Sequence, residues 1–523
     1  RPARALHGRL AADHGRLMGE TIQMRLGEWT PDRNAIGNGP NLLDARDCYP
    51  VVDGYRGYPS LTASLSAGSL AAVCVGAAAG RRRGDGTPYT TAATAAKLYV
   101  TDSTGVLTDR TGTWSLGSTS TATFVQYEDT LLAAAIEHIV QAHTLSGTGN
   151  FANVSADAPK ARHLAIIGKF VVAGNIVGSG ANASAIGTAR DSVQWSAFMN
   201  PTSWPVVGTD AAKAVLSDYR TMPGFGGDVQ GLTGGRDYGI VLQERQVLRA
   251  DISSGDRFFD FNPIDTLNGC DIPQTVIQVG PYTFYHSQAG WMLCDGAAVR
   301  PIGHGKIDRT FAADIDSANT HLCSAAADPN EPLVLFAYPG TGHAAGVCNR
   351  ILVYNYAIDR WALIYSENVE KLVRTQQIGP NLDTPITADV DASPVDMDAA
   401  GYDGKRPSLA AFAATSHALY AFTGDPRSPR LVCGDFEAAP GRRAFVRGVR
   451  VQQSGAGSAV LRVGSRNLPA ASPGFTGWSL ANTVSGTAGV RAAGRYHRVD
   501  LTALTDLGTI SGFDADVELE GMR

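Results

Sequence analysis

The sequence predicts an all-β protein: a β-propeller of about six or seven blades with a smaller C-terminal β domain. Three observations carry that reading. A short apolar run, a polar turn and a second short apolar run recur between about residues 95 and 425. No helix-period segment interrupts them after residue 28. The 59 glycines and 26 prolines, with only 18% charged residues, favour many turns over long helices.

Residues 1–28 hold the one expected helix. Leu6, Leu10, Leu17, Met18 and Ile22 fall near helical spacing with arginines between them, which predicts an arm lying on the surface or docked on a neighbouring subunit. From Trp29 the turn signals crowd together, at Thr30-Pro31-Asp32, Gly37-Asn38-Gly39-Pro40 and Asp53-Gly54, so 29–60 is expected to be an extended lead-in. The hairpins follow, starting near 97, 124, 164, 238, 283, 351 and 410. Their mean spacing of about 52 residues is uneven, which fits propeller blades with loop insertions across 61–435. A pair of β-sandwiches is the competing architecture, because no dipeptide recurs in every hairpin. Two stretches break the pattern. One, at 174–188, is rich in Gly, Ala, Ser and Asn and reads as an exposed loop; the other, at 379–404, carries Asp383, Asp389, Asp391, Asp396, Asp398 and Asp403 without Lys or Arg and reads as a solvated insertion. Alternating segments beginning at Phe445, Ala459, Tyr496 and Asp516 predict a separate β domain over 441–523.

Composition narrows the function. Lys+Arg 44 against Asp+Glu 49 gives a net charge of -5, which argues against a protein that neutralises phosphates over its whole surface. The seven cysteines (Cys48, Cys74, Cys270, Cys294, Cys323, Cys348, Cys433) are odd in number and contain no C-x-x-C pair, so neither a disulfide framework nor a zinc ribbon is indicated. The longest apolar stretch, 70–79, is broken by Gly76 and falls short of the ~20 residues that span a bilayer, and no apolar segment follows Arg1, Arg4, Arg9 and Arg16 as in a secretory leader. Neither a membrane anchor nor a leader is expected.

No metalloprotease, P-loop, α/β-hydrolase or EF-hand motif occurs, so no catalytic, cofactor or metal residue is assigned and an enzyme is not expected. Weaker patterns occur. Glu137-His138 with His143 lacks the spacing of a helical two-His site and reads as structural; Asp389, Asp391, Asp396 and Asp398 could gather Ca²⁺ but lack the glycine of a sharp Ca²⁺ loop. Asp109 to Trp114 approaches the Asp-box of sialidase propellers with Asp109 one residue too far from Gly112, and Arg83-Gly84-Asp85 reads as a Gly-rich hairpin tip. Trp195, Trp204, Trp291 and Trp361 each sit at a hairpin, where a large ring can fill space between blades.

Several phrases occur in a telling order. Asn41 to Pro50 is followed by Gly54-Tyr55 and Gly57-Tyr58-Pro59, then Val193-Gln194-Trp195-Ser196 with Asn200-Pro201-Thr202-Ser203-Trp204. Gly290-Trp291 to Asp295-Gly296, Pro301-Ile302-Gly303, Val353-Tyr354-Asn355 with Asp359-Arg360-Trp361, and Gly494-Arg495-Tyr496-His497-Arg498 complete the set. Together they resemble the tail nozzle or hub proteins of short-tailed bacteriophages, related to the packaged-DNA-stabilisation proteins, over roughly residues 29–523. That resemblance implies a propeller subunit of a virion tail ring, commonly six-fold, below the portal and adaptor, made in the bacterial host cytoplasm. It would help retain and then conduct the genome, meet other tail proteins such as a fibre or needle, and touch double-stranded DNA transiently and without sequence preference. A ring of six chains at -5 each would have a neutral or acidic lumen, since basic side chains would hold the genome and slow its exit. The alternative is a propeller that binds glycans or cleaves them, which would need paired carboxylates or repeated Asp-boxes.

Overall fold

In the computed structural model the described residues are 20–36, 38–63, 68–102, 105–253, 258–365, 367–376, 407–438, 440–482 and 484–519. Seven antiparallel units of four strands make up a seven-bladed propeller. Blade 1 runs Gly76–Arg81, Pro88–Ala93, Leu98–Thr101 and Leu107–Asp109. The inner strands of the remaining blades are Thr123–Tyr127, Lys160–Ile167, Val229–Thr233, Ile272–Val279, Ser324–Ala327 and Val369–Gln376. Each inner strand neighbours the next, and Val369–Gln376 neighbours Gly76–Arg81, so the circle closes. Blade 7 borrows its outer strand: Pro59–Ala63 pairs antiparallel with Leu419–Pro426, bringing Leu61 opposite Phe422.

Both faces of a blade are covered by neighbours, so its middle strands read as continuous apolar runs instead of alternating ones. Leu333–Tyr338 and Gly290–Cys294 are buried at every position. Successive side chains then serve different cores. Leu131 packs with Tyr89 and Leu98 between blades 1 and 2, while Leu132 packs with Leu164 and Val171 between blades 2 and 3. Burying each such side chain stabilises the fold by about 1.5–3 kcal/mol.

The motif phrases mark turns and inter-blade packing. In the phrase after Val193, Asn200 Oδ1 accepts from the Thr202 amide at 3.2 Å and Trp204 Nε1 donates to Pro201 O at 2.9 Å, which turns the chain and sends the indole into the core between blades 2 and 3. In the phrase ending at Trp361, Asp359 has φ 55 and its Oδ1 accepts from Tyr354 Oη at 2.9 Å, which closes the hairpin between Arg350–Asn355 and Arg360–Ile364. All four tryptophans named above are buried.

Among the described residues, the second unit comprises 20–45, 51–57 and 428–519. One sheet orders Gly54–Gly57, Thr509–Leu519, Ala444–Gln453 and Thr487–Gly494, with Glu20–Arg25 also paired to Thr509–Leu519. The other is built on Arg430–Cys433, Tyr496–Ala503 and Ala459–Arg466. Phe436 and Phe513 meet from the two sheets at 6.1 Å, so the unit is a sandwich. Gly54, in one of the motif phrases, has φ +149, and a Cβ there would run into the backbone carbonyl of Ile510. Only glycine fits that position.

Several expectations are corrected. The helix over 1–28 is not seen from Glu20 onward: Glu20–Arg25 is a strand whose Met24 lies opposite Phe513, and residues 1–19 lie outside the described residues. Here pairing to a strand from the other end of the chain overrides local pattern. The domain expected at 441–523 begins earlier, at Ser428, and also takes in 20–45 and 51–57, while the propeller stops at Arg427, short of 435. The stretch at 174–188 is not an open loop: it ends the strand Phe170–Val177, winds through Gly180–Asn182 and Ala183–Ile186, and starts Thr188–Trp195. Asn182 anchors it, its Oδ1 accepting from the Val207 amide and its Nδ2 donating to Asp157 O, both at 2.9 Å. The insertion at 379–404 lies outside the described residues.

Candidate functional site

Small side chains on the inner strands leave space on the propeller axis. Gly76–Arg81 reads Gly-Ala-Ala-Ala-Gly-Arg and Ser324–Ala327 reads Ser-Ala-Ala-Ala. The space forms two adjoining compartments that share Ala77, Ile277, Ala325 and Leu372 in their walls. One, of about 310 Å³, is walled by all seven inner strands and includes His163 and Lys371. The other, of about 530 Å³, is walled by blades 1, 5, 6 and 7 and includes Arg81, Arg374, Gln278 and Gln376.

The ionisable groups of the smaller compartment are buried. Lys371 Nζ donates to three carbonyls, of His321 at 3.1 Å, Leu322 at 3.0 Å and Cys323 at 2.7 Å, and burial pushes its pKa down. His163 is buried and its Nε2 has no hydrogen-bond partner among the described residues. Burial, helped by the charge of Arg162, pushes its pKa down to about 3, so the ring is neutral at ordinary pH. Nearby thiols are equally quiet: burial raises Cys74 and Cys348 to about 12 and Cys323 well above its ordinary value. A thiol kept protonated is a poor nucleophile. Behind the wall, Glu370 is buried, accepting from the Cys74 amide at 2.9 Å and pairing with His417.

Glu137 Oε1 accepts from the Gly117 amide and Ser120 Oγ, His138 Nε2 contacts the backbone of Ser115 at 2.8 Å and stacks on Trp114, and His143 packs against Phe151. These groups tie loops to blade 2. Asp109 to Trp114 follows the outer strand of blade 1 instead of turning a hairpin; Asp109 binds Thr111, and the Trp114 Nε1 donates to Thr94 O at 3.2 Å. Arg83-Gly84-Asp85 occupies the tip between Gly76–Arg81 and Pro88–Ala93, with Asp85 Oδ1 accepting from the Thr87 amide. Asp389, Asp391, Asp396 and Asp398 lie outside the described residues.

Two features escaped the sequence reading. In the sandwich, Asp500 is buried between Arg430, which grips it through Nε at 3.1 Å and Nη2 at 3.0 Å, and Arg462, whose Nε lies at 2.9 Å. The Arg462 guanidinium in turn stacks at 4.4 Å on Phe475 and 4.5 Å on Trp478, and these rings are 38% and 48% exposed. In the propeller, a cavity of about 340 Å³ is lined by Trp195, Tyr219, Phe258 and Phe259 with Lys213 and Arg220. Neither showed a local signal, because the partners come from separate strands.

No family model matches the chain, and no curated protein matches it. Among solved structures, the computationally designed Ika8 protein is similar at 12% identity and a TM-score of 0.36, over 69% of this chain and 99% of that one. A chain from a structure of the mitotic checkpoint complex is similar at 9% identity and a TM-score of 0.37, over 71% of this chain and 96% of that one.

Proposed function

We propose that the chain is a structural subunit of a short-tailed bacteriophage tail, part of a nozzle or hub ring of six copies through which the genome leaves. The observation that carries the reading is the ordered set of phrases from Asn41 to Arg498, which fall at turns and packing positions: Gly54 against Ile510, Asn200 and Trp204 in one hairpin, Asp359 and Trp361 in another. A closed propeller leaves only short strand edges, so identical subunits must meet through loops and the lead-in, and cyclic symmetry is the common solution. On this reading the partners are the portal or adaptor, a fibre or needle, and passing duplex DNA, and the ring is a component of the virion. The ionisable groups of the smaller axial compartment support a passive role, since burial lowers the pKa of both Lys371 and His163. Negative-stain microscopy and native mass measurement of assembled tails test it. A closed ring of this chain supports the proposal; one copy per tail overturns it.

Glycan binding is a second reading, favoured by one observation, the exposed Trp478 and Phe475 held in place by Arg462. Aromatic faces of this kind stack on sugar rings. Quenching of tryptophan fluorescence by oligosaccharides, lost in Trp478→Ala, would favour it over the tail ring.

A further inference from the structure

We infer that the larger axial compartment is a binding site for a small oxyanion, a phosphate or carboxylate, gripped by Arg81 and Arg374. Its wall of Ala77, Ala78, Ala79, Gly80, Ala325, Ala326 and Ala327 is made of small side chains, and no Asp or Glu among the described residues lines it. Both arginines are exposed into a space of about 530 Å³, within the usual range of roughly 300–1,000 Å³ for ligand pockets.

Both arginines line the same compartment, from blades 1 and 7. Arg81, at the end of blade 1's inner strand, donates from Nε to Gln376 Oε1 at 2.9 Å, across to blade 7. Arg374 and Gln376 are two apart on the strand Val369–Gln376, so they share a face about 7 Å apart along the chain. The Gln376 amide therefore holds Arg81 against the strand that carries Arg374. The remaining nitrogens of Arg81, and the whole head of Arg374, have no acceptor among the described residues. Behind them, Arg82 gives its Nη2 to Thr101 O at 2.6 Å and its Nη1 to Leu145 O, so its charge too is met by carbonyls and not by a carboxylate. Arg83 is different, being paired with Glu128 outside the cavity.

Two like charges facing one cavity repel, and low-dielectric walls focus their field into it. A bound oxyanion relieves that repulsion, and the planar fork of each guanidinium fits phosphate or carboxylate oxygens with two parallel hydrogen bonds. The adjoining compartment offers nothing anionic to compete: Lys371 and His163 are the ionisable groups in its wall.

The same chemistry has two sources, a free anion in solution and the six aspartates in the sequence between 379 and 404. The experiment separates them. Inorganic phosphate and, separately, succinate are titrated by calorimetry into the full chain, into Arg374→Gln, into Arg81→Gln, and into a chain in which all six aspartates are changed to asparagine. Saturable binding by the full chain, weakened at least tenfold in both arginine variants and unchanged in the asparagine variant, supports a site for a free anion. Binding that is at least tenfold tighter in the asparagine variant, and still lost when Arg374→Gln is added to it, supports the same site occupied in the native chain by its own carboxylates. Circular dichroism confirms that the variants are folded, and Arg374→Lys should recover part of the affinity by restoring the charge without the fork. Affinity that is equal in the full chain and both arginine variants, or no saturable binding to any of the chains, overturns the inference.

Discussion

The indoles of Trp291 and Trp361 lie 5.7 Å apart across the boundary between blades 5 and 6. Trp291 also meets Phe336 of blade 6 at 4.3 Å, and Trp361 donates from Nε1 to Ile302 O at 3.0 Å, so each ring bolts its own blade to the next. Trp361→Ala removes a fully buried ring and should cost about 3–5 kcal/mol. Trp361→Phe, which keeps most of the volume but loses the hydrogen bond, should cost less. Urea unfolding of both variants checks the order; equal stability of Trp361→Ala and the parent chain would refute the packing argument.

Asp500 is the shared partner of Arg430 and Arg462 and is almost completely buried. Asp500→Ala leaves two arginines in the sheet without their counter-charge, at a cost of about 3 kcal/mol, the low end for a broken buried pair because both arginines can turn partly to water. The same change should loosen Arg462 between Phe475 and Trp478, visible as a shift in tryptophan emission. A variant with parental stability and emission would show that the cluster contributes little.

Stability should fall as the solution is acidified, in part because of His163. Its folded pKa, about 3, lies below its unfolded value near 6.5. A depressed histidine contributes stability above the unfolded pKa and loses it as pH falls toward the folded one, by up to about 1.4 kcal/mol per pH unit. The window is therefore roughly pH 6.5 to 3. His497 and His143, also lowered chiefly by burial, act in the same direction. His163→Gln should flatten the decline of Tm between pH 6.5 and 4, and an unchanged slope would show that His163 is not the group responsible.

Gly54→Ala tests the close approach in the sandwich. The new Cβ would meet the Ile510 carbonyl in a backbone conformation that L side chains rarely adopt, so a loss of at least about 1–3 kcal/mol is expected. Gly489→Ala, in the strand Thr487–Gly494 with nothing near its Cβ, is the control and should change stability little. Similar losses in the two variants would count against the steric account.

The seven hairpins read from the sequence correspond to the seven blades, one in each, although at different places within them. Ala410 and Leu419 fall in the second and third strands of blade 7, whereas Ile351 and Trp361 fall in the third and fourth of blade 6. That explains the uneven spacing. Inner strands such as Gly76–Arg81 were illegible because glycine and alanine carry no strand preference of their own; pairing with Pro88–Ala93 makes them strands. The axial cavity was illegible because its cationic groups are single residues on separate strands, Arg81 ending a Gly/Ala run and Lys371 and Arg374 lying within Val369–Gln376. At the N-terminus a period-two signal was present, with Met24 and Leu26 buried and Thr21, Gln23 and Arg25 exposed, but the leucine spacing upstream masked it.

The pairing of Leu61 with Phe422 has a bearing on how the molecule comes into being. On a ribosome, the segment at Pro59–Ala63 emerges long before Leu419–Pro426 is made, and Glu20–Arg25 must wait still longer for Thr509–Leu519. Until synthesis ends, the first blades have only part of their neighbours, and two strands near the start have none. Contacts this distant in sequence are slow to form and expose unpaired edges meanwhile, the situation in which nascent chains need chaperones. A chain stopped short of Thr509 would lose more than its last strand: it would set free the first one as well, so damage at one end should appear to a protease as a cut near the other.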